Sequence, residues 1–145
     1  MKVLFDTSVL VAALIDSHSN HARAFPWLLK AKRGEIEGCI GTHTRAELYA
    51  ILTSLPVQKN VSSIDVWRLI HDSVLSSFEV VQLTKDDYKF VLESLSQNSI
   101  RGGTTYDALI AHASYKANAD KLLTLNQSHF KRVYPALANI IEEPA

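Results

Sequence analysis

The sequence has little cysteine, no excess of either charge and no long apolar run. Its single cysteine, Cys39, allows no internal disulfide bond and no zinc site built on several thiolates, and its place beside Ile40 predicts a buried core residue. The 15 Lys and Arg balance the 15 Asp and Glu, which argues against a strongly basic nucleic-acid binder but not against an enzyme that touches nucleic acid locally. The first apolar run, residues 3–5, is too short for a signal peptide or a membrane span, so we expect a cytoplasmic protein with no membrane partner.

Short apolar stretches alternate with amphipathic stretches along the chain. The length of 145 residues and the apolar fraction of 47% predict one domain over residues 1–145. Strands are predicted at residues 3–5, 38–41, 80–83, 122–125 and 139–141. Helices are predicted at residues 7–15, 21–32, 42–55, 62–78, 84–95, 105–117 and 127–133. This alternation predicts an α/β fold with a mostly parallel sheet of four to five strands and helices on both faces.

Four polar residues come where a predicted strand ends or the next helix begins. Asp6 and Asn126 follow predicted strands, whereas Glu47 and Asp107 lie in the first turns of predicted helices. In open parallel sheets, ligands bind at the carboxyl ends of the strands. We therefore expect these four side chains at one end of the fold.

Each of the four residues also has a purely structural explanation. Asp6 and Asn126 stand where a helix N-cap would, and Glu47 and Asp107 each follow a threonine by three residues, as in a capping box. Carboxylates in a first helical turn also gain about 0.3–1 kcal/mol from the helix dipole. Taken singly, capping is a sufficient explanation for each acid.

The three acids taken together are harder to explain by capping. Asp6, Glu47 and Asp107 all stand among apolar residues, and acids gathered at the rim of a buried sheet repel one another unless a cation lies between them. Oxygen ligands without His or Cys favour Mg²⁺ or Mn²⁺ over zinc. Such a site typically serves phosphate chemistry.

Four segments of the chain carry a family resemblance. Residues 5–10 (FDTSVL) resemble the opening motif of the PIN domain, and residues 44–48 (TRAEL) resemble its second motif. Residues 102–111 (GGTTYDALIA) resemble the third motif in the form seen in VapC-type toxins, and residues 123–130 (LTLNQSHF) resemble the fourth. Order, spacing and total length agree, so the resemblance extends over nearly the whole chain.

This resemblance implies a three-layer α/β/α sandwich and a metal-dependent endoribonuclease. Family members hold Mg²⁺ or Mn²⁺ in an acidic cluster and hydrolyse RNA phosphodiesters with a water that the metal activates. VapC-type members are the toxins of toxin–antitoxin pairs; they are usually homodimers, silenced by a VapB-type antitoxin. The resemblance therefore implies an RNA substrate, an antitoxin partner and a homodimer.

The family's functional residues map onto particular positions of this chain. Asp6, Glu47 and Asp107 match the catalytic, metal-binding acids of the motifs. The residues expected to support them are Thr7, Ser8 and Thr124. Asn126 departs from the pattern, because many relatives have Asp there. Its amide oxygen can bind Mg²⁺ directly or through water but adds no negative charge, which makes a second tightly held metal ion less favourable.

Basic and aromatic residues outside the acidic set have both functional and structural interpretations. The candidates for binding RNA phosphates are Arg45, Arg101, Lys131 and Arg132, with a solvated surface position as the alternative for each. His129 is expected to pack beside Phe130, although it could meet a phosphate. The pair His18 and His21 lacks further zinc ligands at useful spacing, so a structural role is expected. For the helix aromatics Phe25, Trp27 and Trp67, packing in the core or a dimer is favoured over base stacking.

Two other functions fit the sequence less well. A haloacid-dehalogenase-like phosphatase would need a second Asp two residues after Asp6, where this chain has Ser8. A non-catalytic PIN-like module that binds RNA or protein is favoured only by Asn126. If the chain is a ribonuclease, its specificity is expected to lie in groove shape and in loops such as residues 58–63.

Overall fold

The computed structural model describes residues 1–55 and 61–145, so residues 58–60 of the predicted specificity segment lie outside the described residues. The strands of the described part are β1 (Lys2–Phe5), β2 (Glu37–Gly41), β3 (Glu79–Val81), β4 (Lys121–Leu123) and β5 (Ile141–Glu142). They form one sheet in the order β3-β2-β1-β4-β5, and each neighbouring pair is parallel. The predicted parallel sheet is confirmed.

Helices connect the strands and cover both faces of the sheet. They are α1 (Thr7–Leu14), α2 (His21–Lys32), α3 (Thr42–Ser54), α4 (Ser63–Ile70), α5 (Lys85–Gln97), α6 (Thr104–Lys116) and α7 (Gln127–Val133). A π-helical turn (His71–Leu75) follows α4, and a 3₁₀ turn (Pro135–Leu137) follows α7. No helix among these residues is long and apolar enough to cross a membrane.

The central strand β1 is buried on both of its faces, which explains its uninterrupted apolar sequence. Val3 and Phe5 pack with residues of α1 to α4, whereas Leu4 packs on the other face with residues of α6 and α7. All three side chains are fully buried. Cys39 of β2 is also fully buried, as predicted, in the same core as Leu4. Two cores on opposite faces of one sheet make the three-layer α/β/α sandwich that the resemblance implied.

Several predicted elements differ in their bounds from those observed. The helix predicted at residues 62–78 is α-helical only to Ile70 and continues as the π-helical turn, which leaves Ile70, Val74 and Phe78 all buried in one core. The strand predicted to end at residue 83 ends at Val81. The strand predicted at residues 122–125 is Lys121–Leu123, and the strand predicted at residues 139–141 is Ile141–Glu142. The ends of β1 and β2 are as predicted, whereas β4 ends two residues earlier than predicted, so that Thr124 and not Asn126 directly follows it.

Candidate active site at the carboxyl edge of the sheet

The strand order places a crevice beside Asp6. The chain builds the sheet from β1 outward to β3 on one side and then returns to β4 on the other, so the direction of winding reverses between β1 and β4. In open α/β sheets this reversal opens a crevice at the carboxyl ends of the two strands. Asp6 directly follows β1, and Thr124 directly follows β4.

Asp6 is buried and tightly held at this crevice. Its side chain is 4% exposed, and its Oδ2 accepts hydrogen bonds from Ser8 Oγ at 2.6 Å and Thr124 Oγ1 at 2.8 Å. Each hydroxyl also accepts a backbone N–H, Ser8 from Leu125 and Thr124 from Asn126, so each hydroxyl proton is free for the carboxylate. Both hydroxyls bind Oδ2, so neither occupies Oδ1. Burial raises the pKa of Asp6 above its usual value, and the hydrogen bonds from Ser8 and Thr124 oppose that rise.

Glu47 reaches the same region from the second turn of α3. Its Oε1 accepts a hydrogen bond of 3.2 Å from Thr7 Oγ1 and lies 3.8 Å from Nε2 of His43, one turn earlier on the helix. Burial raises the pKa of Glu47 and the negative charge of Asp6 adds to the rise, whereas His43 and the Thr7 hydroxyl lower it. Thr7 thus links the loop of the first acid to the side chain of the second.

Asp107 lies in the first turn of α6. Its pKa is raised to about 6, first by burial and then by the negative charge of Asp6, with a further contribution from Glu47. The positive charges of His129 and Arg132 act in the opposite direction. Asp6, Glu47 and Asp107 therefore repel one another, which is the electrostatic signature of a site that gains from a bound cation.

The capping explanations for the acids do not hold. Asp6 stands at the N-cap of α1 but makes no side-chain capping bond. The N-cap residues of α3 and α6 are Gly41 and Gly103, so neither predicted capping box forms around Glu47 or Asp107. Asn126 is the N-cap residue of α7 and also makes no side-chain capping bond. A capping box does exist elsewhere, at the start of α5, where Thr84 and Asp87 bond reciprocally.

The donor set fits a hydrated Mg²⁺ or Mn²⁺. Within residues 1–55 and 61–145, no group of three or more His, Cys, Asp or Glu side chains is arranged to hold a metal ion by itself. Mg²⁺ does not require such a cage, because it usually keeps several waters and takes one or two carboxylates from the protein. Asp6, with both hydroxyls on Oδ2, is the best-ordered ligand candidate. Asp107 and Glu47 are close enough to interact electrostatically with it and with each other.

Two of the predicted phosphate-binding residues share one cleft. Arg101 and Arg132 line an open cavity of about 540 Å³ together with Thr104, the first residue of α6. Arg45 is exposed and lines a different cavity, beside Tyr49 and Trp67. Lys131 donates a hydrogen bond to Gln127 within its own helix. Only the first pair therefore forms a common basic surface.

Several histidine and aromatic predictions can be compared with the structure. The prediction that His129 packs beside Phe130 is wrong: Phe130 is fully buried, but His129 is exposed and its charge acts on Asp107. The structural role of His18 and His21 is supported, since a ring nitrogen of each bonds a backbone group. Among the aromatics, Trp27 packs against the core, whereas Phe25 and Trp67 are partly exposed.

The sequence analysis did not single out His43 or Tyr106. Their rings stack face to face, with centroids 4.7 Å apart and an angle of 7° between the planes. The only available signal was position: His43 precedes Glu47 by one helical turn, and Tyr106 directly precedes Asp107.

Comparison with known proteins agrees with this fold and this motif order. The sequence model of the PIN domain family matches residues 3–135. Ribonuclease VapC40 of Mycobacterium tuberculosis is 31% identical over 119 residues, which cover 82% of each chain. Ribonuclease VapC27 of the same organism is 32% identical over 115 residues, which cover 79% of this chain and 78% of the relative.

A solved structure shares the fold over the full length. The match is VapBC2 from Rickettsia felis, crystallised with a DNA fragment from its promoter, at 24% sequence identity. The superposition has a TM-score of 0.68 and covers 99% of this chain and 98% of that chain. The arrangement of the sheet and its flanking helices is therefore that of a known fold.

Proposed function

The chain belongs to the PIN domain family, and we propose that it is a Mg²⁺- or Mn²⁺-dependent endoribonuclease and the toxin of a toxin–antitoxin pair. The observation that carries the catalytic part is the mutual repulsion of Asp6, Glu47 and Asp107 at the crevice between β1 and β4. Burying these acids near one another destabilises the protein unless a cation offsets them. Substrate phosphates would add further oxygen ligands to that cation.

The protein's own residues would hold the metal and fix its ligands. When bound, Mg²⁺ or Mn²⁺ supplies a Lewis acid for the phosphoryl oxygens and lowers the pKa of a water. Asp6 would bind the ion, with Ser8 and Thr124 fixing the orientation of its carboxylate. Glu47 and Asp107 would bind it directly or through its waters and accept protons from those waters. Thr7 would keep Glu47 oriented toward this position through its hydrogen bond.

Asn126 bears on the number of metal ions. It lies directly after the loop that holds Asp6, and its backbone N–H bonds the Thr124 hydroxyl. Because its side chain is neutral, the site carries three negative charges instead of the four that an Asp at this position would give. We therefore propose one firmly bound metal ion.

The cleft of Arg101 and Arg132 would hold an RNA phosphate near the acids. Arg132 is close enough to lower the pKa of Asp107, so the cleft and the acidic site are electrostatically coupled. The three acids repel a polyanion unless a cation is bound among them. A second contact, made by the basic cleft, would then fix the path of the RNA strand. This arrangement explains how a protein with no net charge could bind RNA.

The toxin assignment rests on the relatives. VapC40 and VapC27 are named as VapC ribonucleases, and the solved neighbour VapBC2 is a VapBC protein bound to DNA. We propose a VapB-type antitoxin as partner. A homodimer is also proposed, and exposed apolar residues such as Phe90 and Leu92 offer surface for it.

The test is cleavage of a labelled single-stranded RNA by purified protein. We expect cleavage with Mg²⁺ or Mn²⁺ that leaves 5′-phosphate and 3′-hydroxyl ends, and none in excess EDTA. Asp6→Asn is expected to abolish cleavage, whereas the matched control Asp86→Asn, at an exposed acid of α5, retains it. Cleavage that survives EDTA would contradict the metal mechanism, and equal cleavage by Asp6→Asn would contradict the role of Asp6. RNA binding without any cleavage would favour the non-catalytic module.

The toxin role needs a separate experiment in cells. Expression of the wild type is expected to arrest growth, and expression of Asp6→Asn is not. Co-expression of the product of a neighbouring small gene that encodes a DNA-binding antitoxin should relieve the arrest. Arrest by both forms alike would show that it does not depend on the active site.

A further inference from the structure

The stacked rings of His43 and Tyr106 form an aromatic surface beside the acids. The rings are nearly parallel, and Tyr106 is 48% exposed. Neither residue belongs to a buried core cluster. An exposed tyrosine stacked on a second ring, outside any core, calls for an explanation other than packing.

The pair spans the two helices that supply the second and third acids. His43 lies on α3, where its Nε2 is 3.8 Å from Oε1 of Glu47. Tyr106 lies on α6, directly before Asp107. Any strand whose phosphate reaches these acids must therefore pass close to the rings.

The first turn of α6 also connects the rings to the basic cleft. Thr104 lines the cleft of Arg101 and Arg132, and Tyr106 and Asp107 follow within the same turn. The first turn of α6 thus brings the basic cleft, the aromatic rings and an acid next to one another. A single-stranded nucleic acid carries the matching groups, with phosphates for the arginines and a base for the rings.

We propose that the His43–Tyr106 pair is a stacking platform for a nucleobase next to the phosphate that is cleaved. This inference rests on the proposed ribonuclease function and assigns a substrate contact to that site. Because a base is uncharged, it can lie close to the three acids, whereas a phosphate that does not contact the metal ion would be repelled there. Any base can stack on a ring, so the platform orients the RNA strand and contributes affinity. It favours one base over another only through differences in stacking strength.

The test combines a ring-deleting variant with RNA that lacks one base. The substrates are a single-stranded RNA with a mapped cleavage site and versions with an abasic nucleotide on either side of that site. For the wild type, one of the two abasic positions should lower kcat/KM about tenfold, the expected value of one stacked base. Tyr106→Ala should lower kcat/KM on intact RNA by about the same factor and should then be insensitive to the abasic change.

Two variants separate stacking from structure. Tyr106→Phe keeps the ring and should retain both the activity and the abasic effect. Tyr115→Ala removes an exposed tyrosine near the other end of α6 and should behave as the wild type does. If Tyr106→Ala lowers activity on intact and abasic RNA by the same factor, the ring acts only on the fold or on Glu47, and the platform is refuted. Insensitivity of the wild type to both abasic positions refutes it as well.

A binding assay keeps the proposal testable if no RNA is cleaved. With Mg²⁺ present, fluorescence anisotropy of labelled intact and abasic RNA, measured for the wild type and for Tyr106→Ala, should show the same dependence on the Tyr106 ring. RNA binding in which the effect of the missing base depends on the Tyr106 ring, without cleavage by the wild type, would contradict the catalytic proposal but support the platform. Binding that ignores the base, or no binding at all, would refute the platform directly.

Discussion

The hydroxyl of Thr124 donates a hydrogen bond of 2.8 Å to Oδ2 of Asp6 across 118 residues of sequence. The contact exists because β1 and β4 are parallel neighbours, with Phe5 paired to Leu123, so that the next residue of each strand lies at the same edge of the sheet. The backbone N–H of Asp6 continues this pairing with the carbonyl of Leu123 at 2.9 Å. The topology of the sheet thus places and orients the most buried acid of the site.

The first prediction concerns Thr124 itself. Thr124→Val keeps the shape of the side chain but removes the donor to a buried carboxylate and the acceptor for the Asn126 N–H. We expect the free energy of unfolding in EDTA to fall by about 1.5–3 kcal/mol, the usual value for a hydrogen bond to a charged group. Thr124→Ser restores the hydroxyl and should recover most of the loss in urea unfolding. Thr53→Val, at an exposed threonine of α3, should change little, and an equal loss there would contradict the argument.

The second prediction is a pH dependence set by Asp107. The charged groups that act on it are Asp6 and Glu47, which raise its pKa, and His129 and Arg132, which lower it. Because its pKa is about 6 in the folded protein against an ordinary value of 3.8, the folded state binds the proton more tightly than the unfolded state. Its contribution to stability therefore falls as the pH rises from about 4 through about 6, and the loss is complete above that range.

Asp107→Asn removes this contribution. Without added metal, the variant should be more stable than the wild type at pH 7 to 8, and its melting temperature should depend less on pH between 4 and 6. Thermal unfolding in EDTA across this range checks both points. Identical profiles for the two proteins would mean that Asp107 does not experience the repulsion described above.

The sequence predicts the fold better than it predicts the geometry of the site. Apolar runs and helical periodicity depend on local sequence, which is why α2 and α7 are predicted with their observed bounds. The position of Asp6 at the end of β1 follows from the same patterns. The orientation of His129 does not, because only the assembled fold places it on the exposed side of α7, facing the charge of Asp107.

The stacking of His43 on Tyr106 is a second contact that the sequence does not reveal. The two residues are 63 positions apart by their numbering, on α3 and α6, and no periodic pattern connects them. The capping boxes at Glu47 and Asp107 show the opposite error: a local sequence pattern predicts them, but the observed helix starts exclude them. The observed N-cap residue lies three residues before the threonine of the predicted box in α3 and one residue before it in α6, and local sequence predicts such boundaries poorly.

The third prediction tests the close packing of β2. A Cβ added at Gly38 would lie 2.7 Å from Cε2 of Phe78 and 3.0 Å from Cβ of Ala31. Phe78 is buried and packs edge-to-face on Phe5, so its ring cannot move away freely. We expect Gly38→Ala to lower the free energy of unfolding by about 1–3 kcal/mol, as overpacking of a core does.

A matched glycine provides the control. A Cβ at Gly103 would meet nothing within 4 Å, and the backbone there has φ −62°, which any residue adopts. Gly103→Ala should therefore be neutral, or stabilising by about 0.4–1 kcal/mol through the unfolded state. Urea unfolding of both variants decides the point. Equal stability of the two would contradict the tight contact between β2 and Phe78.

The last prediction measures metal binding without reference to cleavage. A ligand that binds only the folded state raises its stability by about 2.7 kcal/mol at a concentration 100 times its dissociation constant. Mn²⁺ should therefore raise the melting temperature of the wild type in a saturable way, because it offsets the repulsion among Asp6, Glu47 and Asp107. Asp6→Asn should lose most of this shift while being no less stable than the wild type in EDTA, because it removes a charge whose burial is unfavourable. The control Asp86→Asn should keep the full shift. An undiminished shift in Asp6→Asn would place the metal elsewhere, and a shift that Asp107→Asn loses but Asp6→Asn keeps would make Asp107 the principal ligand.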